Sequence, residues 1–200
     1  MLTPAWDHYF ARKFARTDTF QLDLYQAASR FVKDRSCAVD AGAHVGSWSR
    51  VMARDFSEVH AFEPTGENFA CLVENTRDMP VHRHFTALGA SEGRCSMIRH
   101  GTNSGCWRVD DGVEVTVMTL DSLELSHVGL LKLDVEGYEG VVLHGAIRTL
   151  KACKPVVVFE DNGLGCLHYG DAWIDPKPIL SRLGYRSRKR INKDEVWTCA

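Results

Sequence analysis

Two hundred residues carry 24 Lys+Arg against 26 Asp+Glu, a formal charge of −2 and 44% hydrophobic residues, which points to one packed domain over 1–200. Such a chain is too apolar and too weakly charged for disorder, and it lacks the basic excess of a nucleic-acid clamp, so no nucleic-acid partner is expected. No apolar run nears the ~18 residues of a membrane span, no basic-then-apolar leader opens the chain, and seven scattered cysteines without a CxxC pair read as reduced thiols of a cytoplasmic protein.

Residues 1–35 read as a helical N-terminal extension, with an amphipathic helix suggested by Phe20, Leu22, Leu24, Tyr25, Ala28, Phe31 and Val32. The apolar run 37–39 predicts a strand, ending in Asp40 and followed by Gly42 and Gly46. A helix is expected over 47–55 and a second strand over 59–62, closed by Glu63 and Pro64. A helix over 66–77 and a third strand over 81–88 follow. From about 93 to 119 the pattern changes to a hairpin-like β insertion with glycine-rich loops. A buried strand over 129–134 then ends in Asp134, a helix runs over about 138–150, and a strand over 155–159 is closed by Glu160. A glycine-rich loop, a helix near 172–183 and a terminal hairpin finish the chain.

Strands alternating with helices imply a mainly parallel α/β sheet, which binds ligands beyond the carboxyl ends of its strands. Asp40, Glu63, Asp134 and Glu160 mark that edge here. One such acid would merely cap a helix; four suggest a polar rim. The string from Val39 to Gly46 follows a strand and opens a helix, so its glycines let backbone approach a ligand beside unpaired helix N–H groups. Glu63 lies 23 residues after Asp40, where an acid can bind ribose hydroxyls. The loop is GxxxG preceded by an acid rather than GxGxxG. A carboxylate there would repel a pyrophosphate but suit a sulfonium, which favours S-adenosylmethionine over NAD.

The segments VDAGAHVGSWS, VHAFEPTGENFACLVEN, TALGASEG, TLDSL, LLKLDVEGYEGVVLHGA and PVVVFE, together spanning about 36–161, resemble the FkbM-type S-adenosylmethionine-dependent methyltransferases. The resemblance implies a class I, Rossmann-like sheet of seven strands, the last antiparallel, flanked by helices. It assigns Asp40, Gly42, His44 and Gly46 to the first cofactor motif and Glu63 with Pro64 to the ribose. Ala87 and Leu88, after Thr86, would sit beside the adenine, and Asp134 with Glu136 near the reacting methyl group. Asn103, in Asn103-Ser104-Gly105, resembles the family's Asn-x-Gly loop and would stand at the substrate mouth.

Methyl transfer needs a nucleophile held in line with the methyl carbon, and a hydroxyl acceptor needs help in losing its proton. Asp134, Glu136 and Glu160 are the catalytic candidates, with His168 a further base beside the substrate. Blander roles compete: Glu136 as a helix cap, Glu160 as a loop anchor and His168 as a solvated residue. Asp134, Glu160, Asp161 and Asn162 are oxygen donors suited to Mg²⁺, yet no coordination spacing is fixed, and a metal-free site is preferred. Lys132, inside an apolar strand, is expected to pair with a carboxylate. The basic run 186–190 reads as solvated surface, Trp48 and Trp197 as packing, and Trp107 and Trp173 as walls of a substrate pocket. The expected reaction is O-methylation of a sugar, glycolipid or small natural product. An N-methyltransferase and an inactive S-adenosylmethionine-binding module are the alternatives. A second copy forming a homodimer could complete a lid, though no sequence feature requires one.

Overall fold

The computed structural model describes every residue except 18, 100, 102, 162 and 200, and the backbone alone of Leu164 and Asp171. Its largest element is a seven-stranded sheet. At its centre lie β1 (Cys37–Ala41), β8 (Val128–Leu133) and β9 (Val156–Glu160). All sixteen of their residues are buried, as expected of parallel strands covered on both faces. Outside β1 come β2 (Glu58–Phe62) and β3 (Val81–His84). Beyond β9 lie β11 (Asp194–Cys199) and, at the edge, β10 (Tyr185–Ile191). The order is β10-β11-β9-β8-β1-β2-β3, and β11 runs antiparallel to both neighbours. Seven strands with the last reversed is the sheet that the resemblance implies. From β1 the strand order runs outward through β2 and β3 on one side and through β8 and β9 on the other, all parallel, and such a sheet opens a ligand crevice at this switch between β1 and β8.

Side chains alternate across these strands and build two cores. Val39, Ala41, Phe62, Leu131 and Leu133 pack against α5 (Glu139–His144) and α6 (Ile147–Cys153). Ala38, Val59, Ala61 and Leu130 pack against α2 (Leu22–Ser29), α3 (Ser47–Asp55) and α4 (Gly66–Asn75) through Leu24, Met52 and Leu72.

Several expected elements differ from the structure. The third strand stops at His84. Thr86 donates its hydroxyl to the Thr116 carbonyl at 2.9 Å, and Ala87–Leu88 (β4) then pairs with Val113–Met118 (β7) instead. The insertion is therefore a four-stranded sheet in the order β4-β7-β5-β6, with Gly93–Arg99 (β5) and Trp107–Val109 (β6). The helix expected over 138–150 is two helices, because Gly145 presses against Gly89, whose carbonyl would lie 1.9 Å from an added Cβ. The second helix, α6, then takes its cap from Asp121, whose carboxylate accepts from Arg148 N at 2.8 Å and Thr149 N at 2.9 Å. At the N-terminus a helix without a sequence counterpart, α1 (His8–Phe14), precedes α2. The expected glycine-rich loop after Glu160 carries α7 (Leu164–Tyr169), and the helix near 172–183 begins only at Pro176, as α8 (Pro176–Arg182). The 186–190 run lies on edge strand β10, its side chains mostly exposed. No helix among the described residues is long and apolar enough to cross a membrane.

Candidate active site

Beyond the carboxyl ends of β1, β2, β8 and β9 lies a cavity of about 260 Å³. Gly42, His44, Glu63, Pro64, Ala87, Leu88, Asn103, Trp107, Asp134, Glu136 and Glu160 all line it. One shared wall thus gathers most of the residues that sequence analysis selected.

Gly42 turns the chain out of β1 with φ +73°, and a Cβ there would stand 1.9 Å from the Asp134 carbonyl oxygen. Only glycine lets the two strand ends meet so closely. His44 sits at φ +53°, a left-handed position that histidine tolerates better than most side chains. Its N–H donates to Glu63 Oε2 at 2.9 Å. The other Glu63 oxygen accepts from Thr65 N at 2.9 Å and Thr65 Oγ1 at 2.5 Å. Burial pushes the Glu63 carboxyl up to about 7 although these donors pull it down. Oε2 therefore keeps room for a ligand hydroxyl, whereas Oε1 is already occupied.

Asp40 and Gly46 stand behind this wall rather than in it. Asp40 is fully buried, accepts from Ser49 Oγ at 2.6 Å and faces Lys132 Nζ at 3.4 Å. It braces the loop from behind and is not among the residues that line the cavity, where a cofactor contact is expected of it. Gly46 ends the loop against Leu72 and starts α3. Lys132 meets the expectation of a carboxylate pair twice over, with Asp134 also at 3.4 Å. Burial opposes its charge, but Asp134 and Asp40 hold its pKa above the ordinary lysine value.

Asp134, Glu136 and Glu160 converge, with one carboxylate oxygen of each within 4.8 Å of the others. Glu160 pairs with Lys193, and Asp134 with Lys132. No ion pair of Glu136 is found among the described residues. Burial, with Asp134 and Glu160 beside it, pushes Glu136 up to about 8. Glu136 caps no helix among the described residues; the loop that carries it is held by Glu139, whose Oε1 accepts from Val135 N and Gly137 N, each at 3.2 Å. Asp161, expected as an oxygen donor, pairs with Lys177 at 2.6 Å and Arg190 at 3.2 Å, and Asn162 lies outside the described residues. His168, on α7, and Trp173, beyond that helix, are not among the residues lining the cavity. Trp48 and Trp197 are buried, and Trp48 also walls the cavity.

The N-terminal extension closes the site in a way the sequence did not announce. Phe10, Phe14 and Phe20 line the cavity, and the Phe10 ring lies 4.6 Å from that of His44. Asp7 caps α1 by accepting from Phe10 N at 2.9 Å, and it also accepts from Ser104 N at 2.7 Å and from Ser104 Oγ. Ser104 Oγ meets His44 Nε2 at 2.6 Å. With the hydroxyl proton on Asp7, the imidazole must donate, so Nε2 carries the hydrogen. Burial lowers the His44 pKa to about 4 and keeps the ring neutral. Asp7 followed by Phe10 and Phe14 was a readable cap-and-stripe signal for α1; nothing local in the sequence tied Asp7 to Ser104.

Residues 40–187 match the profile of the family described as the methyltransferase FkbM domain. The hexuronic acid methyltransferase AglP of Haloferax volcanii is 27% identical over an alignment of 169 residues that covers 78% of this chain and 66% of that protein. The chain thus spans just under two thirds of that relative. The crystal structure of methyltransferase FkbM from Methylobacillus flagellatus KT is similar at TM-score 0.58 and 21% identity, over 82% of this chain and 44% of that one. That of precorrin-6y C5,15-methyltransferase from Geobacter metallireducens GS-15 is similar at TM-score 0.54 and 14% identity, over 90% and 89%. The fold is that of the class I methyltransferases.

Proposed function

The chain belongs to the methyltransferase FkbM domain family, and from that premise we propose that it uses S-adenosylmethionine to methylate a hydroxyl oxygen of a sugar-containing acceptor. The observation that carries this reading is the single cavity edged at one side by Gly42 and Glu63 and at the other by three carboxylates.

The residues present fit this cofactor. Glu63 offers Oε2 to a ribose hydroxyl, Ala87 and Leu88 offer apolar contact to the adenine, and the backbone around Gly42 leaves room for the amino-acid part. Asp134 would stand by its positively charged end, where the acid is favourable. When bound, the cofactor supplies an electrophilic methyl group. The chain's own tasks are to exclude water, to align the acceptor oxygen and to take its proton.

Glu136 is the best-placed base. Asp134 and Glu160 are each committed to a lysine, whereas a Glu136 poised near 8 exchanges a proton close to neutrality. With Lys132 and Lys193 beside Asp134 and Glu160, and Glu136 protonated below about 8, an uncharged hydroxyl is the acceptor that suits the site. The activity of the hexuronic acid methyltransferase relative supports a sugar as acceptor class. Lys132 and Lys193 already balance two of the acids, so the reaction needs no divalent cation and should persist in EDTA.

The test is transfer of labelled methyl from S-adenosylmethionine to neutral glycosides, hexuronides and peptides. Label should enter a neutral glycoside, and Glu136→Gln should lower kcat by about 10²–10⁴-fold while cofactor binding stays intact. Label entering only peptides, or full turnover by the variant, would refute the reading.

A further inference from the structure

On the far side of β1 from the cavity's lysine and acids, the sheet carries a cluster that methyl transfer does not use. Parallel register places Cys37 beside Glu58 and sets His60 beside His82. A Cys37 Sγ, a Glu58 carboxylate oxygen and a ring nitrogen of His60 all lie within 4.8 Å of one another. His82 adds a second imidazole, with its Nε2 at 3.4 Å from Glu58 Oε2 and its ring stacked 4.7 Å from that of His60. His84 completes the row, its Nε2 at 3.1 Å from His60 Nδ1.

We propose that Cys37, Glu58 and His60, with His82 in the fourth position, form a binding site for a zinc-like divalent transition metal. One thiolate, one carboxylate and two imidazoles are a donor set that Zn²⁺ accepts in tetrahedral geometry. Two anionic ligands cancel the charge of the ion, so the occupied site is neutral and suits its half-buried place. Ligand atoms around such an ion stand roughly 3.3–3.8 Å apart for metal–ligand distances near 2.0–2.3 Å. Closing from within 4.8 Å asks about 1 Å of movement, and the half-exposed Glu58 and His82 side chains have the freedom to supply it. The His60–His84 contact is the outer-shell bond that aims a ligating imidazole: with the hydrogen on Nδ1 shared with His84, His60 Nε2 is left to bind metal. Edge strand β3 gives the ion a way in past the exposed His82. Binding converts the Cys37 thiol to thiolate, its proton leaving to solvent.

Cobalt(II) is the probe, titrated into the reduced, metal-stripped full chain and followed by absorption. One equivalent should give tetrahedral d–d bands and a sulfur-to-cobalt charge-transfer band, and zinc should displace both. Cys37→Ser should abolish the charge-transfer band. Glu58→Gln and His82→Ala, both at partly exposed positions that the core does not need, should each weaken binding at least tenfold. Glu136→Gln should change nothing, which separates this site from the carboxylates of the cavity. Cobalt binding without the charge-transfer band, a band that survives Cys37→Ser, or affinity untouched by Glu58→Gln and His82→Ala would overturn the proposal.

Discussion

Lys132 is buried between two acids, and its removal should be felt by both. Asp40 is fully buried and Ser49 satisfies only one of its oxygens, so Lys132→Met leaves an uncompensated charge in the core. Breaking a buried pair in this way costs about 3–5 kcal/mol. In a chain of this size that lowers Tm by roughly 6–20 °C. Adding Asp40→Asn to the variant should recover much of the loss; a double variant no more stable than the single one would show that Lys132 acts by packing alone. Glu63→Gln tests the opposite end of the cavity. Hydrogen bonds to charged groups are worth about 1.5–3 kcal/mol, so its cofactor dissociation constant should rise about 10- to 100-fold in calorimetry. Glu136 contributes to the response to pH, its pKa raised further than that of Glu63 across the cavity. Burial and its two acidic neighbours raise its folded pKa to about 8, against an ordinary 4.5. Between those values the native state holds a proton that the unfolded chain has lost. Stability from this group is therefore full below pH 4.5 and is lost as pH rises through about 8. Glu136→Gln should make that slope shallower in denaturant melts taken across the window. The remainder belongs to Glu63, Glu139 and Asp194, which burial raises to about 7, and an unchanged slope would remove Glu136 as a contributor.

At the scale of elements, the N-terminal helix is held over the cavity by few but buried contacts. Ser104→Ala deprives Asp7 of one donor and His44 of its acceptor, a loss of about 1–3 kcal/mol for each buried group left unpaired. Because His44 N also holds Glu63, cofactor affinity should fall together with protection of α1 amides in hydrogen exchange. Loss of α1 protection without loss of affinity would mean that the helix merely rests there. These contacts explain what the sequence could and could not disclose. Strands β1, β8 and β9 were legible as short apolar runs closed by acids, since burial on both faces leaves no other composition. The break at Gly145 was not, because it depends on Gly89 and on a cap from Asp121, both far away in the chain. The partner of Asp40 was hidden for a related reason: its place before the glycine loop says acid, but the Lys132 that it faces comes from β8, the neighbouring strand.

Across the whole molecule, topology does most of the positioning. The parallel run of β1, β2, β8 and β9 brings four carboxyl ends to one edge, the strand order switches direction between β1 and β8, and the insertion sheet and N-terminal helix wall what that edge opens. The alternation of strands and helices made this edge readable before any coordinate, together with Glu63, Asp134, Glu136 and Glu160 upon it. The contributions of Lys193, from the turn between β10 and β11, and of Asp7 needed the folded chain. Calorimetric titration of the full chain with S-adenosylmethionine, with NAD as control, tests this arrangement most directly. Binding of one equivalent near a micromolar constant, about −8 kcal/mol, with none for NAD is the expected result. A folded chain that binds no S-adenosylmethionine, or that binds NAD equally well, would contradict it.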